Sequence, residues 1–254
     1  MKAAMDVYCR AYGVTLDDYE VPAGGFSSFD EFFTRRLKPG VRPIDPDPTA
    51  LTSPADGRIE DFGAIEPGAT FLVKGREYDV AELLGDPASA AQFEGGRFAI
   101  VYLSPSDYHR VHAPVSGAVT SARHVPGTLY PVNAIGLAHV PKLFARNERV
   151  VVHQRSQRHG HVATVLVGAI GVGRITMSFD PGIVTNDSAT AGLREYGDDA
   201  PFLERGDELG IFHLGSTAIV FTTPGAELEL SCTAGQHVQM GQTIARPPFE
   251  PGAG

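Results

Sequence analysis

The chain has 254 residues and a formal charge of −9 at neutral pH, with 43% hydrophobic and 20% charged residues. That is ordinary for a globular protein with a sizeable core, and the acidity argues against an electrostatic nucleic-acid binder. Two cysteines, Cys9 and Cys232, are too few for a disulfide framework or a thiolate metal cluster.

The N-terminal "MKAAMDVYCRAYG" lacks the apolar core of a signal peptide. The first forty residues read as helical. In "FSSFDEFFTRRLKPG", Ser28 and Glu31 have the spacing of a capping box. Phe29, Phe32, Phe33 and Leu37 fall at i, i+3, i+4 and i+8, which predicts one apolar helix face. Arg35, Arg36 and Lys38 then crowd the predicted last turn, where cations complement the helix dipole. The pattern suits a helix docked on the core. Its alternative is a membrane-surface helix that pairs aromatic with basic residues.

"PGVRPIDPDP" reads as an extended, proline-punctuated connector. From residue 51 the pattern turns mainly to β. "RFAIVYLS", "ERVVVHQRS", "HVATVLVGAIGVGRITMSF" and "TAIVFTT" are β-branched or alternating runs bounded by turn residues, and "DVAELLG" is a short helical insert. No stretch reaches the roughly 18 apolar residues of a spanning helix. Near the C-terminus, "AGQHVQMGQTIAR" resembles the closing hairpin of lipoyl and biotinyl carrier modules, with Gly235, Val238, Gly241 and Gln242 at the matching spacing. The expected fold is mainly β (α+β). It is a barrel-sandwich-like domain of interlocked hairpins over residues 46–254, preceded by a helical segment over 1–45 that is a candidate for membrane contact.

Three stretches hold polar residues that a simple β core would not choose. In "SPADGRI", Asp56 sits in good turn chemistry, so an Asx-turn at a strand entry is one reading. In "YLSPSDYHRVHAPVSG", His109 and His112 are three apart. They could be structural, or metal ligands, or general acid–base groups. No cysteine or carboxylate-rich partner motif follows, so no metal is expected. In "FHLGSTAIVF", Gly215 and Ser216 interrupt an apolar strand. Glycine there marks a bulge or a close approach, and a serine after it is either a turn residue or a nucleophile. A serine nucleophile needs a base and the base an orienting group, which Asp56, one histidine and Ser216 could supply. The G-x-S-x-G elbow of α/β-hydrolases is absent.

"SPADG", "YLSPSDYHRVHAP", "FARNERVV", "VLVGAIGVGRI" and "ELGIFHLGSTAIVF", in this order, resemble the phosphatidylserine decarboxylase proenzymes. The likeness begins near "FDEFFTRRLKPGVRPID" and runs to about residue 245. It implies that Ser216 attacks the carbonyl of Gly215 and splits the chain into a large chain of 1–215 and a small chain of 216–254. Ser216 thereby becomes a pyruvoyl group, the covalent cofactor. The resemblance also implies that His112 is the base for this step and that Asp56 holds its imidazole. His109 would serve the decarboxylation stage, in which the pyruvoyl carbonyl forms a Schiff base with the amine of phosphatidylserine. It further implies a homodimer, peripheral on the inner face of the cell membrane, with the Phe29–Leu37 helix and loops near the site as the contact. The alternatives are a pyruvoyl decarboxylase of a soluble amino acid, a serine hydrolase, and a non-catalytic barrel-sandwich binding module.

Overall fold

The N-terminal segment forms two helices, α1 (Lys2–Tyr12) and α2 (Phe29–Phe33), in a computed structural model that describes residues 2–170, 174–213, 216–226 and 228–248. Ser28 caps α2, its Oγ accepting from the Glu31 amide at 3.0 Å. The Glu31 carboxylate reaches back to Ser27, not Ser28, accepting from its amide and hydroxyl at 2.5 and 2.7 Å. The helix is shorter than its apolar periodicity predicts. Thr34 returns both its amide and its hydroxyl to the Asp30 carbonyl, at 2.8 Å each, and ends it. Beyond that point tertiary contacts outweigh helix propensity. The Arg35 guanidinium lies 4.1 Å over the Tyr19 ring, and Leu37 forms an antiparallel bridge with Tyr19. Arg35, Arg36 and Lys38 therefore stand outside the helix. Phe32 and Phe33 are fully buried and Phe29 and Leu37 half-buried, so most of the aromatic face docks on the protein.

Helix α3 (Val80–Leu84) matches the predicted insert. Asp79 caps its start, accepting from the Ala81 and Glu82 amides, and Gly85 ends it in the left-handed region at φ 63°. Glycine enters that region without the Cβ penalty of other residues.

The rest is mostly antiparallel sheet. We number β1 (Gly57–Ala64), β2 (Arg97–Leu103), β3 (Arg110–His112), β4 (Gly117–Val125), β5 (Arg149–Ser156), β6 (Gly160–Gly168), β7 (Ile175–Met177), β8 (Glu208–Phe212) and β9 (Ser216–Thr222). A nine-stranded sheet runs 192–195, β4, β5, β6, β9, β2, β1, 237–238, with 202–203 also on β4. A second sheet has the order β7-β8-β3. No closed barrel forms among the described residues.

Position in the large sheet explains the sequence patterns. Strand β9 is flanked by β6 and β2, and all seven of its residues are buried. It therefore reads as a continuous apolar run. Burying Ile219, Val220 and Phe221 contributes about 1.5–3 kcal/mol each as an upper estimate. Strand β4, nearer the edge, alternates between buried and half-buried residues.

Two expectations need correction. The run "HVATVLVGAIGVGRITMSF" is two strands in different sheets, β6 and β7, with residues 171–173 outside the description. The expected closing hairpin is also divided. His237–Val238 pairs with β1, whereas Thr243–Arg246 lies between Leu51–Thr52 and Glu229–Leu230 in a third sheet. Partners distant in sequence outcompete local pairing across the Gln239–Gln242 turn. No helix among the described residues is long and apolar enough to cross a membrane.

Candidate active site

Ser216 is the first residue of β9, in register with Leu103 and Gly168, the last residues of β2 and β6. Three strands thus meet at one end of the large sheet. From that end the chain leaves β2 through Ser104–His109 into β3 of the second sheet, and enters β9 from β8 of that same sheet. Ser216 lies at the seam between the two sheets. Its hydroxyl is buried and has no hydrogen-bond partner among the described residues. A buried hydroxyl left unpaired forfeits on the order of 1–3 kcal/mol, and Thr217 and Thr222 of β9 share that state; Ser216 differs from them in its place at the first residue of the strand, at the seam. Gly215, the other residue of the predicted cleavage site, lies outside the described residues.

The loop before β3 is tightly tied. The Asp107 carboxylate accepts from the Ser104 amide and hydroxyl, each at 2.7 Å, and lies 3.1 Å from Nε2 of His237. The Asp107 carbonyl takes a hydrogen bond from Nδ1 of His109 at 2.8 Å. A carbonyl only accepts, so the neutral ring carries its proton on Nδ1 and a bare lone pair on Nε2. That Nε2 is buried and has no partner among the described residues. The Phe33 ring covers the imidazole at a centroid distance of 4.0 Å. Burial pushes the His109 pKa down to about 3; Arg35 adds to the effect, while the Asp107 carbonyl and carboxylate oppose it. The Phe212 amide donates to the His109 carbonyl at 2.9 Å, four residues before Ser216.

His112 is also buried, but both ring nitrogens are engaged. Nδ1 donates to the Gly206 carbonyl at 2.7 Å, and Nε2 accepts from the Tyr108 hydroxyl at 3.1 Å. Burial lowers its pKa. The Gly206 carbonyl, Glu208 and Asp56 pull the other way, and Arg110 reinforces burial.

Asp56 does not hydrogen-bond to His112, contrary to the expected pairing. Its carboxylate accepts from Nε and Nη2 of Arg42, with the shortest contact at 2.7 Å, and from the Met240 amide at 2.8 Å. It acts on His112 through space, favouring the charged ring. The His112 amide is bound to the Pro54 carbonyl at 2.7 Å, which keeps "SPADG" against β3. The structure thus gathers His109, His112 and the Asp56 turn around β3, and ties Ser216 to the same region through β2 and β8.

Sequence reasoning missed Arg42, Tyr108 and Phe33. Tyr108 lies inside the quoted "YHRVH", and its place beside the histidines was a usable signal. Arg42 is a lone basic residue in a proline-rich connector, where nothing marks it as the partner of Asp56. Among the described residues, no three His, Cys, Asp or Glu side chains converge as a metal-holding group.

Residues 29–246 match the profile of the phosphatidylserine decarboxylase family. A phosphatidylserine decarboxylase proenzyme of Xanthomonas euvesicatoria is 43% identical over 95% of this chain and 87% of its own length. Proenzymes of the same name from an Anaeromyxobacter strain and from Brevibacillus brevis are 42% and 40% identical, over 95% and 96% of this chain and 86% and 88% of their own. With the ordered motifs, the buried unpaired serine and this breadth of similarity together, the chain belongs to the phosphatidylserine decarboxylase family.

Proposed function

We propose that the protein converts phosphatidylserine to phosphatidylethanolamine and CO2 with a pyruvoyl group that it makes from Ser216. The carrying observation is the Ser216 hydroxyl, buried and without a partner among the described residues, at the start of the central strand. That position suits a residue that is consumed as a reactant.

Maturation is chemistry of the chain on itself. The Ser216 hydroxyl loses its proton and attacks the Gly215 carbonyl carbon, and the peptide C–N bond breaks as the ester C–O bond forms. Elimination across the Cα–Cβ bond then releases Gly215 as a carboxylate and leaves dehydroalanine at position 216. One water molecule replaces its nitrogen, which departs as ammonia, and the pyruvoyl group remains. Glycine suits the attacked position because it has no side chain to block the approach.

His112 serves as the base. To take the serine proton, its Nε2 exchanges the Tyr108 hydroxyl for that of Ser216, while the Gly206 carbonyl keeps the proton on Nδ1. Asp56 favours the imidazolium so formed without touching it. The logic is that of a serine triad, with the carboxylate acting at longer range.

The pyruvoyl carbonyl supplies the electron sink that stabilises a carbanion next to the headgroup nitrogen, a service that PLP performs elsewhere. Before its nitrogen can react, the substrate ammonium must give up a proton. The bare Nε2 of His109 is the group free to take it. The same nitrogen then passes that proton to the carbon that has lost CO2, and the product amine takes a proton from water on release, so each turnover consumes one proton. Membrane contact is peripheral, at the inner face of the cell membrane. Most of the aromatic face of α2 is buried, so exposed apolar side chains such as Val7, Tyr12 and Val21 are left to provide it.

Intact-mass analysis of the purified protein tests the reading. We expect a large chain ending at Gly215 and a small chain starting at a pyruvoyl group, with turnover of phosphatidylserine in vesicles. A single uncleaved chain, or turnover of free serine with none of the lipid, would overturn it.

A further inference from the structure

The N-terminal segment does more than precede the β domain: three of its side chains grip the loop that carries His109. The Tyr8 hydroxyl donates to the Pro105 carbonyl at 2.8 Å. Arg35 donates from Nη2 to the carbonyls of Ser106 and Asp107, at 3.0 and 3.4 Å. The Asp107 carbonyl is the one that receives the His109 Nδ1 proton. Phe33 lays its ring against the imidazole.

Each contact constrains a different freedom of the ring. The Asp107 carbonyl selects the tautomer, and Arg35 holds that carbonyl in place. Phe33 closes one side of the imidazole and excludes water from it. Arg35 is itself immobile, 2% exposed and lodged over the Tyr19 ring. Phe33 is fully buried and is braced by Tyr8 and Phe29, whose ring centroids lie 6.4 and 6.1 Å away. Through these residues the segment reaches the one imidazole nitrogen of "YHRVH" that has no partner among the described residues.

We infer that Phe33 and Arg35 are positioning residues for the decarboxylation step, acting through His109 by fixing its ring plane and its tautomer. This rests on the proposed role of His109. Neither residue touches Ser216 or His112 by any hydrogen bond or ring contact among the described residues, so self-cleavage does not depend on them. The charged groups that face His109 are Arg35 and the Asp107 carboxylate. Loss of Phe33 admits water and lets the ring titrate closer to its ordinary value.

The test uses the full-length chain with Phe33→Leu, Phe33→Ala, Arg35→Lys and His109→Ala variants. The readouts are extent of cleavage, kcat and KM on phosphatidylserine vesicles, the kcat–pH profile, and nitrogen NMR of labelled histidine. For Phe33→Leu and Phe33→Ala we expect complete cleavage and a KM within about two-fold of the parent. Their kcat should fall ~10- to 100-fold, the scale on which misplaced catalytic groups act. The His109 signals should move off the pure Nδ1–H form and titrate at higher pH. Arg35→Lys should show a smaller loss of kcat in the same direction, and it carries the test if the Phe33 variants fail to fold.

An unchanged kcat, pH profile and histidine spectrum in the cleaved Phe33 and Arg35 variants would overturn the inference. So would loss of cleavage in folded protein, which would mark a general structural role. Normal decarboxylation by His109→Ala would instead overturn the reading of His109 itself. The two failures are therefore told apart.

Discussion

The His112 ring has both nitrogens engaged, by Gly206 and Tyr108, whereas three residues earlier His109 has one nitrogen engaged and one bare among the described residues. The two stretches also differ in what holds them. His112 lies on β3, gripped by β8 and by the Pro54 carbonyl, and its neighbour Arg110 pairs with Glu208 at 2.6 Å. His109 lies on a loop gripped by the N-terminal segment. The β framework reaches both, since the Phe212 amide also holds the His109 carbonyl, and the segment also takes Arg110 Nε on its Thr34 carbonyl at 2.9 Å, but the imidazole that the segment covers is that of His109. The contrast suits two tasks: a proton removal done once within the chain, and a proton transfer repeated at every turnover.

The sharpest way to break the contrast is to remove each ring in turn. We expect His112→Ala to stay a single chain on denaturing gels, with cleavage slowed at least ~100-fold, the lower range attributed to a general base. His109→Ala should cleave fully and decarboxylate ~100-fold more slowly. Full processing in the His112 variant would exchange the two roles or abolish the distinction.

Asp56→Asn comes next. It keeps an oxygen for the Met240 amide but leaves the Arg42 side chain, 9% exposed, with Asp18 at 3.1 Å as its remaining carboxylate. Losing one of its two carboxylates costs less than the about 3–5 kcal/mol of a buried charge left wholly unpaired, and the melting temperature should drop. Cleavage should slow by less than about ten-fold, because the carboxylate no longer favours the imidazolium of His112. Wild-type cleavage in this variant would confine Asp56 to holding Arg42.

Tyr108→Phe asks whether the hydroxyl competes with Ser216 for Nε2. A hydrogen bond contributes about 0.5–1.5 kcal/mol net, so its removal should speed cleavage by roughly two- to ten-fold. Slower cleavage would mean that the phenol passes the proton along. The smallest expected effect is on stability. Burial depresses the pKa of His109 to about 3, of His153 to about 4, and of His112 below its ordinary value. These rings stay neutral in the fold and become protonated in the unfolded chain below about pH 6.5. Their contribution is therefore fully present above pH 6.5 and is lost as pH falls toward 3. Melting temperature should decline from pH 7.5 to 5.5, and less steeply in a His109→Ala variant that folds.

The strands were legible because β5, β6 and β9 are buried along nearly their whole length, and runs such as "ERVVVHQRS" announce that. The site residue types were legible as well, through "SPADG", "YHRVH" and "LGST". Their partners were not. The acceptor for His112 is a backbone carbonyl 94 residues away, and any residue type supplies a carbonyl. Arg42 meets Asp56 because the connector is led past β1, a matter of tertiary path. Helix α2 stops early for a similar reason: Arg35 finds better contacts outside the helix than within it. Local pattern located the chemistry, and long-range backbone geometry decided who touches whom.

A cut before Ser216 would leave the central strand of the largest sheet on the smaller piece, with β2 on one side and β6 on the other. Further along that piece, His237–Val238 pairs with β1, Thr243–Arg246 pairs with Leu51–Thr52, and the Met240 amide caps Asp56. The fragment could not leave without dismantling the core. Unfolding, though, would become a separation of two molecules, so the midpoint of melting would depend on protein concentration. Refolding would require two strangers to meet, where the uncut chain needed only to close upon itself. Maturation would then act as a ratchet, in which the precursor can fold repeatedly and the mature enzyme, once lost, has no quick way back.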